Sequence, residues 1–240
     1  MPIPSNLLAR FEHESYFHVI CKSINQNSLF LSDENKFYFL KKYHQFLFPF
    51  VDTYAYCLLD NHVHWLVKIK IENAICEYIQ QISPTEQTSV QQKFLQKNDV
   101  DINKLIERQF NSFFVSYTRS YNIYYSIKGH LFESPFKRIA INGDAHLTQT
   151  IIYIHANALK HGLVKEFANY KWNSYRSFTS GAHTSLMRNN VLDWFGGVDA
   201  FIEAHQIQSD YYYRHPLQEC LTLEECSTLT LSSKCSFRNW

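Results

Sequence analysis

Glycine and proline are scarce in this 240-residue chain, with six of each, which excludes collagen-like and low-complexity architectures. No apolar run approaches the ~20 residues that a membrane-spanning helix needs, so no membrane partner is expected. The opening Met1-Pro2-Ile3-Pro4-Ser5 lacks the basic start and apolar stretch of a secretory signal. Six cysteines (Cys21, Cys57, Cys76, Cys220, Cys226 and Cys235) show no paired metal-binding spacing. Cys21 and Cys57 lie inside apolar runs, where the thiol behaves as a small hydrophobe. The expectation is a cytoplasmic protein with reduced thiols. Formal net charge is only +1 with histidine neutral, so the total carries no nucleic-acid footprint.

What is present is more informative. Hydrophobic residues make up 45% of the chain, enough for one substantial core plus an appendage. Aromatics are abundant, at 19 Phe, 16 Tyr and 4 Trp; those left exposed suit stacking on unpaired bases. From Lys104 to Arg138 the basic residues Lys104, Arg108, Arg119, Lys128, Lys137 and Arg138 face only Glu107 and Glu133. Taken alone, that stretch reads as a solvated helix face.

Periodicity predicts the elements. Tyr16–Ser23 is β-rich and forms a first strand. Ser32 or Asp33 caps a helix from about Glu34 to Phe48, which Pro49 ends. Asp52–Leu59 and His62–Ile69 read as strands joined by the Asp60-Asn61 turn. Glu72–Ile82 and Ile102–Tyr121 have helical periods, while Ser83–Gln96, rich in Gln, Ser and Thr and holding Pro84, reads as a loop. Phe136–Ile141 is a fourth strand, and a helix follows from about Ala145 to Lys160, ended by Gly162. A short helix is expected around Asp199–Gln206, and little from Gln218 onward demands order. Strand, helix, strand, strand, helix, strand, helix is the order of an α+β, ferredoxin-like split βαβ fold with a central antiparallel sheet and flanking helices. The expected division is a main domain at 1–180 and a helical or irregular appendage at 181–240.

The chemistry starts at Asn61-His62-Val63-His64-Trp65. Strand side chains alternate, so His62 and His64 share one face while Val63 and Trp65 take the other. Two imidazoles one pleat apart can take adjacent positions on one metal ion, and neutral imidazole is the commonest protein metal ligand. For a bare His-x-His, two half-exposed histidines with no ion is the favoured reading.

Four blocks together carry a resemblance. Tyr54-Ala55-Tyr56-Cys57-Leu58-Leu59-Asp60-Asn61-His62-Val63-His64-Trp65-Leu66-Val67 resembles the HUH motif (His, bulky hydrophobic, His) of the single-tyrosine transposases. That group includes the insertion-sequence-200-like transposases and the REP-associated tyrosine transposases. Gly129-His130-Leu131-Phe132 resembles the family's Gly-x-Leu-Phe strand entry, and Tyr153-Ile154-His155-Ala156-Asn157-Ala158-Leu159-Lys160-His161-Gly162-Leu163-Val164 its tyrosine helix and following turn. Trp172-Asn173-Ser174-Tyr175 resembles the trailing Trp-x-Ser-Tyr. The blocks keep the family's order over Tyr16 to Phe178. One departure is Asn157-Ala158-Leu159, where the family usually has Asn-Pro-Val; it changes how the helix can end without removing a chemical group.

The resemblance implies a metal-dependent single-stranded DNA endonuclease and strand transferase acting in DNA transposition through a 5′-phosphotyrosine intermediate. Tyr153 matches the nucleophile, although its neighbours Ile151, Ile152 and Ile154 alone would make it a core aromatic. His62 and His64 match the metal ligands. Asn157, four residues after Tyr153, lies on the same helical face and either completes the metal site or caps the helix. Mixed nitrogen and oxygen donors with open positions suit Mg²⁺ or Mn²⁺. Arg119, Lys128, Lys137 and Arg138 are candidate DNA-phosphate contacts, each with ordinary surface charge as its alternative. His155 and His161 are weaker candidates: His155 projects away from Tyr153, and His161 suits the helix C-terminal dipole. The implied partner is single-stranded DNA, at hairpin or repeat ends. A homodimer is left open, and with it whether Tyr153 serves its own chain's metal site or its partner's.

Two other readings stay open. One is a non-catalytic binder of single-stranded nucleic acid, because ferredoxin-like sheets also serve RNA-binding modules; the chain lacks that module's Lys/Arg-Gly-Phe-Gly-Phe signature. The other is a metal-dependent hydrolase activating water, for which Asp60 is the nearest carboxylate in sequence.

Overall fold

The computed structural model describes residues 7–214, with side-chain surroundings described as far as residue 208. Four strands, β1 (Tyr16–Lys22), β2 (Val51–Leu58), β3 (His62–Ile69) and β4 (Lys137–Ile141), form one sheet in the order β2-β3-β1-β4. Every pairing is antiparallel. Helix α1 (Asp33–Leu47) connects β1 to β2, and α2 (Glu72–Gln81), α3 (Ser89–Leu95) and α4 (Ile102–Tyr125) connect β3 to β4. Helix α5 (Asp144–Lys160) follows β4. This is the α+β split βαβ arrangement expected from the sequence.

Strand alternation divides the sheet into two faces. Trp65 points toward α1 and α4, stacking on Phe39 and Tyr43 and meeting Phe113 edge-on. Phe17 joins the same layer through Phe11, which stacks on Phe110. Six of these rings, all but Tyr43, are at most 1% exposed, and each contributes ~1.5–3 kcal/mol on burial. The other face lies under α5.

A bulge makes that second face. β2 pairs Thr53 with Val67, then Ala55 with Leu66, so Tyr54 is the extra residue. Before it, Thr53 bonds Tyr43 of α1 (2.8 Å); after it, Cys57 pairs with His64 and faces α5. Tyr54 stacks on Trp194 and meets Tyr16 edge-on, so the bulged residue is held from the tail side.

The boundaries follow local chemistry. Ser32 caps α1 by accepting from Asn35 N (3.3 Å), and Asp101 caps α4 by accepting from Lys104 N (2.9 Å). Gly143, at φ 81°, turns the chain from β4 into α5. The loop expected at 83–96 is overturned in part: α3 forms there. Thr88 and Gln91 make a reciprocal capping box, with Gln91 N donating to Thr88 Oγ1 and Thr88 N to Gln91 Oε1. Phe94 then buries against the core.

Beyond residue 180 the described chain does not stand apart. α6 (Tyr175–Thr179) and α7 (Arg188–Phe195) lead to α8 (Val198–Arg214), which contains the helix expected around 199–206 and continues past it. Val191, Phe201 and His205 are fully buried against the α5 layer. Met187 N donates to Thr53 O (3.0 Å), tying this segment to β2. Residues 215–240, including the segment from Gln218, lie outside the described residues.

Candidate active site

Register places a row of histidines beneath α5. On β1 and β3, Ile20 pairs with His64, Lys22 with His62, and His18 with Leu66. Directly paired residues share a face, so His18, His62 and His64 are all on the α5 side. His62 and His64 ring centroids are 5.1 Å apart, as are those of His18 and His64.

Helix α5 supplies the opposing residues on one helical stripe: His146, then Tyr153 two turns on, Asn157 and Lys160 at further steps of four and three, with His161 following as its C-cap. The Tyr153 ring meets His64 at 5.9 Å and His18 at 5.7 Å, nearly perpendicular to both. His161 meets His62 at 4.9 Å. Lys160, only 7% exposed, holds its Nζ 4.6 Å from the Tyr153 ring centroid. Tyr153 therefore faces the histidine pair of its own chain. Asn157 lies between Tyr153 and His161 on this stripe, 2% exposed. Its Nδ2 donates to Tyr153 O (2.9 Å), so its side chain does not cap the helix end, and Oδ1 is the atom with metal-ligating chemistry.

The imidazoles are held neutral. Burial lowers His18 and His62 to about 3 and His64 well below the ordinary value, with neighbouring histidines adding to the effect. His62 Nδ1 lies 2.6 Å from Asn61 Oδ1 and so donates to it, leaving Nε2 unprotonated. His64 Nδ1 is 2.9 Å from His18 Nε2. His64 Nε2 is enclosed without a hydrogen-bond partner; Ser23 Oγ, Trp65 Nε1 and His146 Nε2 share that condition. An enclosed imidazole nitrogen without a partner, beside a second imidazole whose Nε2 is unprotonated, fits a divalent ion that accepts borderline nitrogen donors. Among the described residues no three His, Cys, Asp or Glu side chains form a metal-holding group.

The basic residues separate. Lys137 pairs with Ile20, which pairs with His64, so Lys137 lies on the α5 face two strands from the site. Arg119 and Lys128 line a groove of about 980 Å³ with Arg108, His130, Phe114 and Phe132, on the α4 side. The groove adjoins the histidine end of the sheet: Ser23 bridges to Phe132, and Glu133 N donates to Lys22 O (2.9 Å). Arg138 is different. It points to the α4 face, is 8% exposed, and its guanidinium bonds Glu107 and Ala9 O. With Asn103 and Phe11 it ties α4 to the N-terminal segment, so its charge is engaged internally rather than presented to a phosphate.

His155 does project away from Tyr153. It joins a buried chain in which His155 lies 2.8 Å from both His205 Nε2 and Ser174 Oγ, and Tyr56 N donates to Ser174 Oγ. Asp60 pairs with Lys36 (3.1 Å). His18 and Lys160 were not singled out by sequence. His18 stands at the alternating position that faces α5, a signal that only the β1–β3 register turns into contact.

Among the described residues, no helix is long and apolar enough to cross a membrane. No family model matches the sequence, and no curated protein matches it. A solved structure, described as a REP-associated tyrosine transposase bound to a REP hairpin, is similar at a TM-score of 0.44 and 13% identity, covering 74% of this chain and 87% of that one.

Proposed function

We propose that this chain cuts and rejoins single-stranded DNA, with Tyr153 as nucleophile and a divalent ion, Mg²⁺ or Mn²⁺, held by His62, His64 and Asn157 Oδ1. The observation that carries this reading is Tyr153 packed against His64, whose Nε2 is buried without a partner. A bound divalent ion would supply Lewis-acid neutralisation of the scissile phosphate.

The residues divide the remaining work. Tyr153 Oη attacks phosphorus, forming a phenolic ester; the P–O3′ bond breaks, and the phenolic proton is transferred to the departing 3′ oxygen. The products are a 5′-phosphotyrosine and a 3′-hydroxyl. Reversal by that hydroxyl rejoins the strand, so no nucleotide cofactor is consumed. A phenol of pKa ~10 is a weak nucleophile at neutral pH, and a cation beside it helps. Lys160 is that cation. Lys137 on the same face and Arg119 and Lys128 in the adjoining groove bind strand phosphates, and exposed Val115, Ile123 and Ile127 give the groove apolar surface for bases. The substrate is a hairpin or repeat end with an unpaired flank. One chain holds both nucleophile and histidines, so the reading needs no partner subunit.

The test is a denaturing gel of the protein with labelled single-stranded hairpin DNA, taken from the flank of its own locus, with Mn²⁺ or EDTA. We expect a metal-dependent covalent adduct that disappears in Tyr153→Phe, His62→Ala and His64→Ala while DNA binding survives. Cutting without an adduct would make the protein a hydrolase, and tight binding with neither would make it a binder.

A further inference from the structure

We infer that His18 is a positioning residue of the metal site, accepting the His64 Nδ1 proton and so fixing His64 in the tautomer whose Nε2 lone pair is free for an ion. This rests on the metal reading above.

The two imidazoles come from different strands, 46 positions apart, and meet at 2.9 Å between His18 Nε2 and His64 Nδ1. Both are buried, at 6% and 3% exposure. One of the two nitrogens must carry the shared proton, which allows two arrangements. If His18 donates, neutral His64 keeps its own proton on Nε2, an enclosed atom with no acceptor; a buried unsatisfied donor costs ~1–3 kcal/mol. That proton also blocks coordination. If His64 donates from Nδ1, His18 carries its proton on Nδ1, and that nitrogen is not among the enclosed atoms left unpartnered. Of the nitrogens of these two rings, the one left enclosed without a partner is then a lone pair at His64 Nε2, which an ion can meet.

His62 shows the same device by another route. Its Nδ1 donates to Asn61 Oδ1, again leaving Nε2 unprotonated. Both histidines therefore have Nδ1 held by a protein acceptor and Nε2 available, the arrangement in which outer hydrogen bonds orient metal-ligating imidazoles. His18 also meets the Tyr153 ring at 5.7 Å, so one residue touches both the proposed ligand and the proposed nucleophile.

The experiment combines nitrogen NMR of the metal-free ¹⁵N-labelled protein with Mn²⁺ titration calorimetry on wild type, His18→Gln, His18→Phe and His64→Ala. We expect wild-type His64 to be protonated at Nδ1. His18→Phe, which has no acceptor, should lose 10- to 100-fold in Mn²⁺ affinity, and His18→Gln, whose amide oxygen can accept, should recover most of it. Circular dichroism and thermal melting exclude unfolded variants, and the tautomer measurement needs no variant. A proton on Nε2 of wild-type His64 would overturn the inference. So would wild-type affinity in His18→Phe with affinity lost in His64→Ala, a result that leaves the metal reading standing. Absence of Mn²⁺ binding to wild type would remove both.

Discussion

Lys160 Nζ stands 4.6 Å from the centroid of the Tyr153 ring, two helical turns along α5 and almost closed off from solvent. An enclosed ammonium on an aromatic face is worth ~2 kcal/mol, and it also favours negative charge growing on the phenol oxygen. Lys160→Met keeps length and removes the charge. We expect its rate of DNA adduct formation to fall about tenfold, since ~1.4 kcal/mol is one decade in rate. Mn²⁺ affinity should hold within a factor of about two. An unchanged single-turnover rate would remove Lys160 from the proposed chemistry.

Arg138 and the groove residues should part company. Arg138 and Glu107 form a largely buried ion pair between β4 and α4. Breaking such a pair from one side costs ~3–5 kcal/mol, and Glu107 is partly exposed, so Arg138→Met should lie at or below the lower end of that range. Arg119→Ala and Lys128→Ala should leave urea unfolding within about 0.5 kcal/mol of wild type. They should weaken single-stranded DNA binding and reduce its salt slope by about 0.7 for each lost phosphate contact. Equal salt slopes in wild type and the double variant would take the groove out of DNA binding.

Acid should destabilise the protein through His205. Burial holds it at about 4, against an ordinary value of 6.5, with His155 and the ring of Tyr175 as the titratable residues in contact. Because the folded value is lowered, the unfolded chain binds more protons between these limits. The stabilisation is fully present above about 6.5 and is lost as pH falls toward about 4, on the order of 3 kcal/mol. His205→Phe should flatten that part of the profile. At pH 7.5 it should cost ~1–3 kcal/mol, because His155 Nδ1 loses its partner. Denaturant unfolding from pH 4.5 to 8 measures both effects, and parallel curves for the two proteins would contradict the assignment.

Thr88 tests the element that sequence reading missed. Thr88→Ala removes the acceptor for Gln91 N and should cost ~1 kcal/mol. Amide exchange should quicken in α3 while α5 stays protected. A global loss without local exchange would mean that α3 is not held by its cap.

The α5 layer shows why some of the site was legible and some was not. Alternation alone put His62 and His64 on one face, and a three-to-four residue period put Tyr153 and Asn157 on another. Arg138 looked like its neighbour Lys137 in sequence. In a strand adjacent residues point oppositely, so one reached the α5 face and the other was drawn into the α4 core by Glu107. The 83–96 segment misled because its polar composition hid a cap whose two bonds are made only when Thr88 and Gln91 are read as a pair.

The sequence by itself determined the strands, the main helices, the antiparallel ferredoxin-like order and the candidate pair His62 and His64, because periodicity and turn chemistry are local. Only the tertiary structure decided that His18 meets His64, that Lys160 covers Tyr153, and that the helices after residue 180 close over α5. The His18–His64 contact depends on the β1–β3 register, and the face that the later part of β2 turns to α5 depends on the Tyr54 bulge; both are chosen by packing across the sheet rather than by any preference of neighbouring residues.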